Sequence, residues 1–373
     1  AFKEYYDKGW IYKGYRVINW CVRCGTGISD LEVNYIPEKG KLYYIKYGPF
    51  TLATTRPETK LGDTGLAIHP DDERYTDYAG KDIEINSVDN NIPSSESPRV
   101  KKIKIKMVAD EAVDKEFGTG IIKVTPAHDI TDFEISKRHD LPLVKIIDEN
   151  GRMNQNAGIR YAGLKVAEAR EKITKDLEEL GLLENTEDYE HNMGRCDRCN
   201  SVIEPLPSDQ WFLKVSELAE LAKEAILKKE VNFHPDRWTD ISMRWLESMR
   251  DWNISRQLWW GHRLPVWQHE PKCVPRKGRE KDVDKCIDII VSPEKPECKY
   301  CDAKYVQSED VLDTWFSSAL WPFAALGWPE ETKDLKEYYP IQFITSDRGI
   351  VFLWQIRMIF SGKYFTGKAP FSN

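Results

Sequence analysis

The sequence predicts an α/β protein in which a mixed, barrel-like α/β body is inserted into a second body, with a zinc knuckle at the junction. Three observations carry this reading. At 373 residues the chain has room for two or three domains of ~150 residues, each able to bury its own core. Two Cys-x-x-Cys pairs, Cys21/Cys24 and Cys196/Cys199, stand far apart, and one tetrahedral all-cysteine site built from both would clamp the neck of whatever lies between them. Of thirteen tryptophans, none falls between Trp20 and Trp211, so the intervening stretch has a composition of its own. The expected division is residues 1–34 as entry segment and knuckle, 35–194 as the inserted domain, and 195–373 as knuckle exit and outer body. Two independent redox or unpaired Cys-x-x-Cys motifs are the alternative.

Taken in order, residues 2–8 read as a helix leading through Gly9 and Gly14 to a strand at 16–20. Within the insertion, alternating runs at 42–45, 50–54, 102–108 and 121–124 predict strands of a mixed sheet or barrel. Helices are predicted at 130–139 and 164–180, the second stopped by Gly181. Residues 86–99, rich in Ser, Pro and Asn, read as a loop. Lys102, Lys104 and Lys106 share one strand face, where they could meet nucleic-acid phosphates or guard an edge strand against aggregation; the second is favoured. From Leu206 the chain turns helical, at 216–229 and 237–252, with Ile241, Trp245, Met249 and Trp252 at core spacing.

Composition narrows the function classes. Hydrophobic content of 41% and charged content of 31% fit a globular chain, and a net charge of −7 argues against non-specific coating of nucleic acid. No apolar run nears the ~20 residues of a membrane span and no signal peptide opens the chain, so a cytoplasmic protein without a membrane partner is expected, as a monomer. The start at Ala1 without an initiator Met suggests an excised piece of a longer chain. The third cysteine pair, Cys298/Cys301, is also a metal candidate; its partners would come from Cys273, Cys286 or His269.

Chemistry concentrates in residues 117–133. Gly118 and Gly120 permit close approach of a ligand to the main chain. Strand alternation puts Lys123 and Thr125 on one face, Pro126 stops the strand, and Asp129 and Asp132 sit at a helix start, where they meet the positive end of its dipole. Asp-x-x-Asp there is equally a plain capping arrangement, and spacing alone leaves both readings open. Thr54-Thr55-Arg56-Pro57-Glu58-Thr59 places hydroxyls and a guanidinium just past a strand.

Together, Thr54–Thr59 and Lys123-Val-Thr-Pro-Ala-His-Asp129 with Asp132 resemble the editing domain of the class I aminoacyl-tRNA synthetases for valine, isoleucine and leucine. Leu258-Trp-Trp-Gly-His-Arg263 and Asp313-Thr-Trp-Phe-Ser-Ser-Ala-Leu-Trp-Pro322 resemble the catalytic domain of the valine-specific branch, which also carries the lysine at 123. The resemblance implies part of a Rossmann-type core around the insertion, structural Zn2+, tRNA(Val) as partner, and hydrolysis of mischarged threonyl-tRNA(Val). It implies roles for Asp132, Asp129, Lys123 and Thr125 in the hydrolysis, with Thr54, Thr55, Arg56, Thr59, Phe117 and His128 near the substrate. Trp315 and Asp313 would border the amino-acid pocket of the synthetic site. No His-x-Gly-His or Lys-Met-Ser-Lys-Ser string occurs, so ATP and Mg2+ are expected for the parent enzyme only. An editing fragment of an isoleucine or leucine enzyme, a non-catalytic zinc-ribbon nucleic-acid-binding module, and a zinc hydrolase are the alternatives; the last needs an open metal position that an all-cysteine site does not provide.

Overall fold

The computed structural model describes residues 1–270, 287–298, 300–301 and 304–373. The chain forms two compact units, Tyr15–Asp209, and Ala1–Gly14 with Gln210–Asn373. The middle unit is thus wider than the expected 35–194 and contains the knuckle. The reason is local packing: Cys21 and Cys196 share a small core with Ile28, Val33 and Ile203.

After α1 (Phe2–Asp7), β1 (Ile11–Cys21) carries the chain into the middle unit and turns back into β2 (Thr26–Ile28). The fifteen-residue β3 (Val33–Tyr47) then leads away, pairing with β4 (Phe50–Thr54) at its far end. There follow β5 (Gly65–Ile68), β6 (Asp82–Val88), β7 (Val100–Ala109), β8 (Ile121–Val124), α2 (Ile130–His139) and α3 (Val166–Glu179). Gly181, at φ +66°, turns the chain after α3 as expected. The return is β9 (Leu183–Cys196), antiparallel to β3 from Ile45↔Leu183 to Val33↔Cys196. That ribbon is how two cysteine pairs so distant in sequence reach one place.

The unit's other sheet has the order β6-β7-β5-β8, with β5 and β7 parallel and the remaining pairs antiparallel. Alternating Ile83, Ile85, Ile105 and Met107 are buried, while Ala67, Val108, Val124 and Ile135 form a core beneath α2. The barrel-like expectation resolves into this sheet and the three-stranded β4-β3-β9 sheet, with no hydrogen-bonded closure among the described residues. β7 pairs with β6 over Val100–Lys106 but with β5 only over Lys106–Ala109, so Lys102 and Lys104 lie on a stretch with a strand on one side only among the described residues, as the edge-guard reading expects, while Lys106 lies between two strands; Lys102 also pairs across to Glu84 at 2.7 Å.

β10 (Ile203–Leu213) leads out to α4 (Ser216–Leu227) and α5 (Arg237–Glu247). Short strands follow: β11 (Trp252–Asn253), β12 (Ser255–Arg256), β13 (Val266–Glu270), β14 (Ile289–Val291), β15 (Lys304–Gln307) and β16 (Val311–Leu312). The helices α6 (Thr314–Ser318), α7 (Trp321–Ala324), α8 (Lys333–Tyr338) and α9 (Ile356–Thr366) complete the unit. Its core gathers Phe2, Tyr5, Trp211, Leu218, Trp252, Phe316 and Ile359. Trp252 lies on a strand, not on the predicted helix, which ends at Glu247. The pairs β10–β11, β12–β16, β13–β14 and β13–β15 are antiparallel and the bridge Ile341↔Phe371 is parallel, so no parallel sheet of a Rossmann-type core is found among the described residues. No described helix is long and apolar enough to cross a membrane.

Candidate active site

The helix start at the end of β8 divides its two carboxylates. Asp129 is the N-cap: its Oδ1 accepts the Thr131 and Asp132 N–H groups at 2.7 and 3.0 Å, and the residue is exposed. Asp132 turns inward, is 8% exposed, and accepts the Thr125 N–H at 2.7 Å. Burial, then the charge of Asp129, pushes its carboxyl up to about 7 against the opposing pull of Lys123. Plain capping therefore describes Asp129 and leaves the buried, proton-sensitive Asp132 unexplained.

Beside it, Lys123 Nζ donates to Thr59 Oγ1 and Thr125 Oγ1 at 2.6 Å each and to Asp63 Oδ1 at 3.2 Å. Thr125 Oγ1 donates to the same Asp63 oxygen at 2.6 Å, and the Tyr47 hydroxyl donates to Asp63 Oδ2 at 2.5 Å. An ammonium has three hydrogens, and these contacts use all three. The cluster lies deep: the side chain of Asp63 is 0% exposed and that of Lys123 9%. The structure thus brings Lys123, Thr125, Thr59 and Asp132 together around Asp63, which the sequence reading missed. The available signal was an acid closing the same 3-10 turn, Pro57–Gly62, that begins at the threonine-rich loop.

Other expected residues are placed differently. Arg56 is clamped between Glu58 (3.1 Å) and Glu204 (2.6 Å), with Glu58 also bound by Arg170 at 2.8 Å. Burial alone would raise the Glu58 carboxyl; the Arg170 bonds and the Arg56 charge outweigh it and hold the group below its usual range. The guanidinium thus fixes the loop that bears Thr54, whose Oγ1 accepts the Arg56 N–H at 3.1 Å, and Thr55. His128, expected near the substrate, is 2% exposed. Its Nε2 accepts the Ile146 N–H at 2.9 Å and its Nδ1 donates to the Pro205 carbonyl at 3.4 Å, so both nitrogens are engaged. Burial and Arg56 push it down to about 3, a neutral structural histidine.

The glycine turn is no ligand cradle at Gly120. A Cβ there would lie 2.3 Å from Arg74 Nη2, so the space is already filled by the Arg74–Asp72 pair. Phe117 stays exposed, edge-on to Tyr189 at 6.4 Å. In the other unit Asp313 is buried, accepting from Arg256 Nη2 (2.7 Å), Trp252 Nε1 (2.8 Å) and the Trp315 N–H (2.9 Å). Its carboxylate ties the core together, and Trp315 is partly buried against that core. A cavity of about 490 Å³ in the same unit is lined by Phe233, Trp238, Phe343 and Arg348 among others, and by none of the expected site residues.

The sulfurs of Cys21, Cys24, Cys196 and Cys199 lie within 4.8 Å of one another, with Cys21 and Cys199 at 3.4 Å. Four thiolates at ~2.3 Å from one Zn2+ need sulfur separations of about 3.8 Å, so this donor set fits a closed structural zinc site. His269, Cys298 and Cys301 form a second such group, with Cys301 Sγ 3.7 Å from His269 Nε2. Of the partners considered for that pair, His269 is the one seen beside it; Cys273 and Cys286 lie outside the described residues.

The family of tRNA synthetases class I (I, L, M and V) matches residues 1–373. Valine–tRNA ligases of Thermotoga maritima, Petrotoga mobilis and Carboxydothermus hydrogenoformans are each 49% identical across the whole of this chain. The chain covers 41%, 40% and 40% of their lengths, about two fifths of each relative. Among solved structures, the LeuRS of a ternary complex with tRNA and LeuAMS from Agrobacterium radiobacter K84 spans the whole chain and half of its own, at 13% identity and a TM-score of 0.37, a likeness too low to carry an argument. With the family matched from end to end and relatives near half identity, the chain belongs to the class I tRNA synthetases.

Proposed function

We propose that this chain carries the editing site of a valine–tRNA ligase and hydrolyses the ester of threonyl-tRNA(Val). The parent enzyme would join valine to tRNA(Val) with ATP and Mg2+ in the cytoplasm. The observation that carries the reading is the buried Lys123–Thr125–Asp63 cluster beside the inward-turned Asp132. The relatives' names support valine as the amino acid of the parent enzyme.

The need for such a site follows from a limit on recognition. A hydrophobic pocket cannot strongly reject an isostere that only adds a hydroxyl, and threonine against valine is the standard instance of it. A second pocket can require that hydroxyl. Lys123 fixes the Thr125 and Thr59 hydroxyls, each of which keeps one lone pair that a threonyl hydroxyl would join. A valyl methyl would cover them without pairing, at about 1–3 kcal/mol for each polar group left unmet.

In the reaction the substrate ammonium pairs with the Asp132 carboxylate, which favours the ionised form of a group otherwise poised near 7. Water attacks the ester carbonyl carbon, the bond to the ribose oxygen breaks, and that oxygen takes a proton. Among the described residues no Ser–His or Cys–His pair stands beside Lys123 and Asp132 to offer an acyl-enzyme route, since His128 is fully engaged. The rate enhancement comes from positioning, with Thr54 and Thr55 on the loop held by Arg56 and Phe117 as an apolar wall for the terminal adenosine. The zinc held by the four cysteines would fix the neck of the unit and take no part in the chemistry.

The test is incubation of the chain with threonylated tRNA(Val) without ATP. Release of threonine that Asp132→Ala abolishes supports the reading; release no faster than from buffer sinks it.

A further inference from the structure

Below the cluster lies a lysine that the chemistry described so far does not use. Lys60 is 2% exposed, and nothing among the described residues hydrogen-bonds to its amine. Nζ sits 3.2 Å from the centroid of the Tyr47 ring, itself 0% exposed. A buried amine without a hydrogen-bond acceptor is costly, and a lysine is a poor choice for mere space filling. What it rests on is informative: the Tyr47 hydroxyl donates to Asp63 Oδ2 at 2.5 Å, and Asp63 Oδ1 receives Lys123 and Thr125.

We propose that Lys60 is a positioning residue of this pocket: through the Tyr47 ring and hydroxyl it governs how far the Asp63 carboxylate is left to Lys123 and Thr125. The proposal rests on the editing reading of the pocket. A charged amine over the ring face is held by the ring quadrupole and polarises the phenol into a stronger donor, drawing Asp63 toward Tyr47. It also sets a second cation near Lys123 with one carboxylate between them. A neutral amine releases both effects, leaving Lys123 as the sole cation on Asp63. The charged and titratable groups facing Lys60 are Tyr47 from β3, Asp63 from its own turn and Lys123 from β8. Burial pushes Lys60 down to about 7, Asp63 opposing and Lys123 adding to the shift. Both charge states are therefore reached near neutrality, and the neutral one is the competent one.

The consequence is a second proton in the pH profile beyond that of Asp132. In deacylation of threonyl-tRNA(Val) by the full chain at enzyme concentrations below saturation, where the profile reports the groups of the free protein, the log rate below pH 7 should climb with a slope approaching about two per pH unit. Lys60→Met, fixed in the uncharged state, should lower that slope toward about one and be roughly tenfold faster than the parent at pH 6, the ratio shrinking as pH rises. In a Tyr47→Phe background the same change should have no effect at pH 6, since the link to Asp63 is gone. Nitrogen-detected NMR of the lysine side chains gives a readout independent of activity: an amine titrating near 7 that is lost in Lys60→Met and shifted in Tyr47→Phe. A Lys60→Met profile superimposable on the parent's, or an effect at pH 6 that survives Tyr47→Phe, overturns the proposal while leaving the pocket reading intact. Full activity in Lys123→Ala would instead overturn the pocket reading and the role of Lys60 with it.

Discussion

Each unit buries an aspartate at the centre of a polar cluster, and the two clusters are built from different residues. Around Asp313 stand Arg256, the Trp252 indole and a backbone N–H, with Arg357 stacked 3.5 Å over the Trp252 ring. Around Asp63 stand Lys123, Thr125 and Tyr47, with Lys60 behind the tyrosine. Guanidinium and indole groups do not change charge in any ordinary pH range, whereas lysines shift readily when buried. The first cluster is a fixed tie between β11, β12 and α6. The second is a set of exchangeable contacts beside a carboxyl poised near 7. On the proposed function, two buried aspartates serve one as scaffold and one in the site, and their partners tell them apart.

The contrast breaks if removing the first carboxylate is harmless. Asp313→Ala leaves Arg256 buried without its counter-charge and is expected to cost about 3–5 kcal/mol in chemical denaturation. Next in size, Asp132→Ala should lower threonyl-tRNA deacylation by roughly 10² or more, the order of a lost positioning anchor, with the melting temperature at pH 8 unchanged or raised. A melting loss as large as that of Asp313→Ala would return Asp132 to the scaffold class.

How far these clusters could be read from sequence depends on the range of the contacts. That Lys123 and Thr125 share a face, and that Asp129 caps a helix, follow from period-two alternation and a local start signal, and both were legible. Asp63 was not: it lies 62 residues before Thr125 and meets it because β5 pairs with β8, Gly65 opposite Val124. Arg56 and His128 were read as substrate contacts because their partners Glu204 and Pro205 come from far along the chain. The cysteine pairs announced a shared site, while the long β3–β9 ribbon that unites them had no local signal, its outer faces being polar.

A smaller effect sharpens the same contrast through pH. The folded Asp132 carboxyl is raised above its ordinary value, so the stability it contributes is full below about pH 4 and is lost as pH rises through about 7. Thermal melts of Asp132→Asn should lack that decline. A parallel decline in both proteins would assign it to other groups. Smaller still for the chemistry is the zinc. Cys196→Ser should remove one equivalent of bound metal by elemental analysis, yet change the threonyl-to-valyl preference of the remaining folded protein less than twofold. A lost preference would make the metal part of the site.

The central claim is that the Lys123–Thr125–Asp63 cluster selects for a hydroxyl, and the most direct test is the ratio of single-turnover deacylation rates on threonyl-tRNA(Val) and valyl-tRNA(Val), at enzyme concentrations high enough to offset weak tRNA binding. One or two unmet polar groups under a valyl methyl correspond to a preference of roughly 10 to 10² for the threonyl ester, and Lys123→Ala should erode it. Equal rates on the two esters would contradict the account and leave the cluster as buried scaffold like that around Asp313.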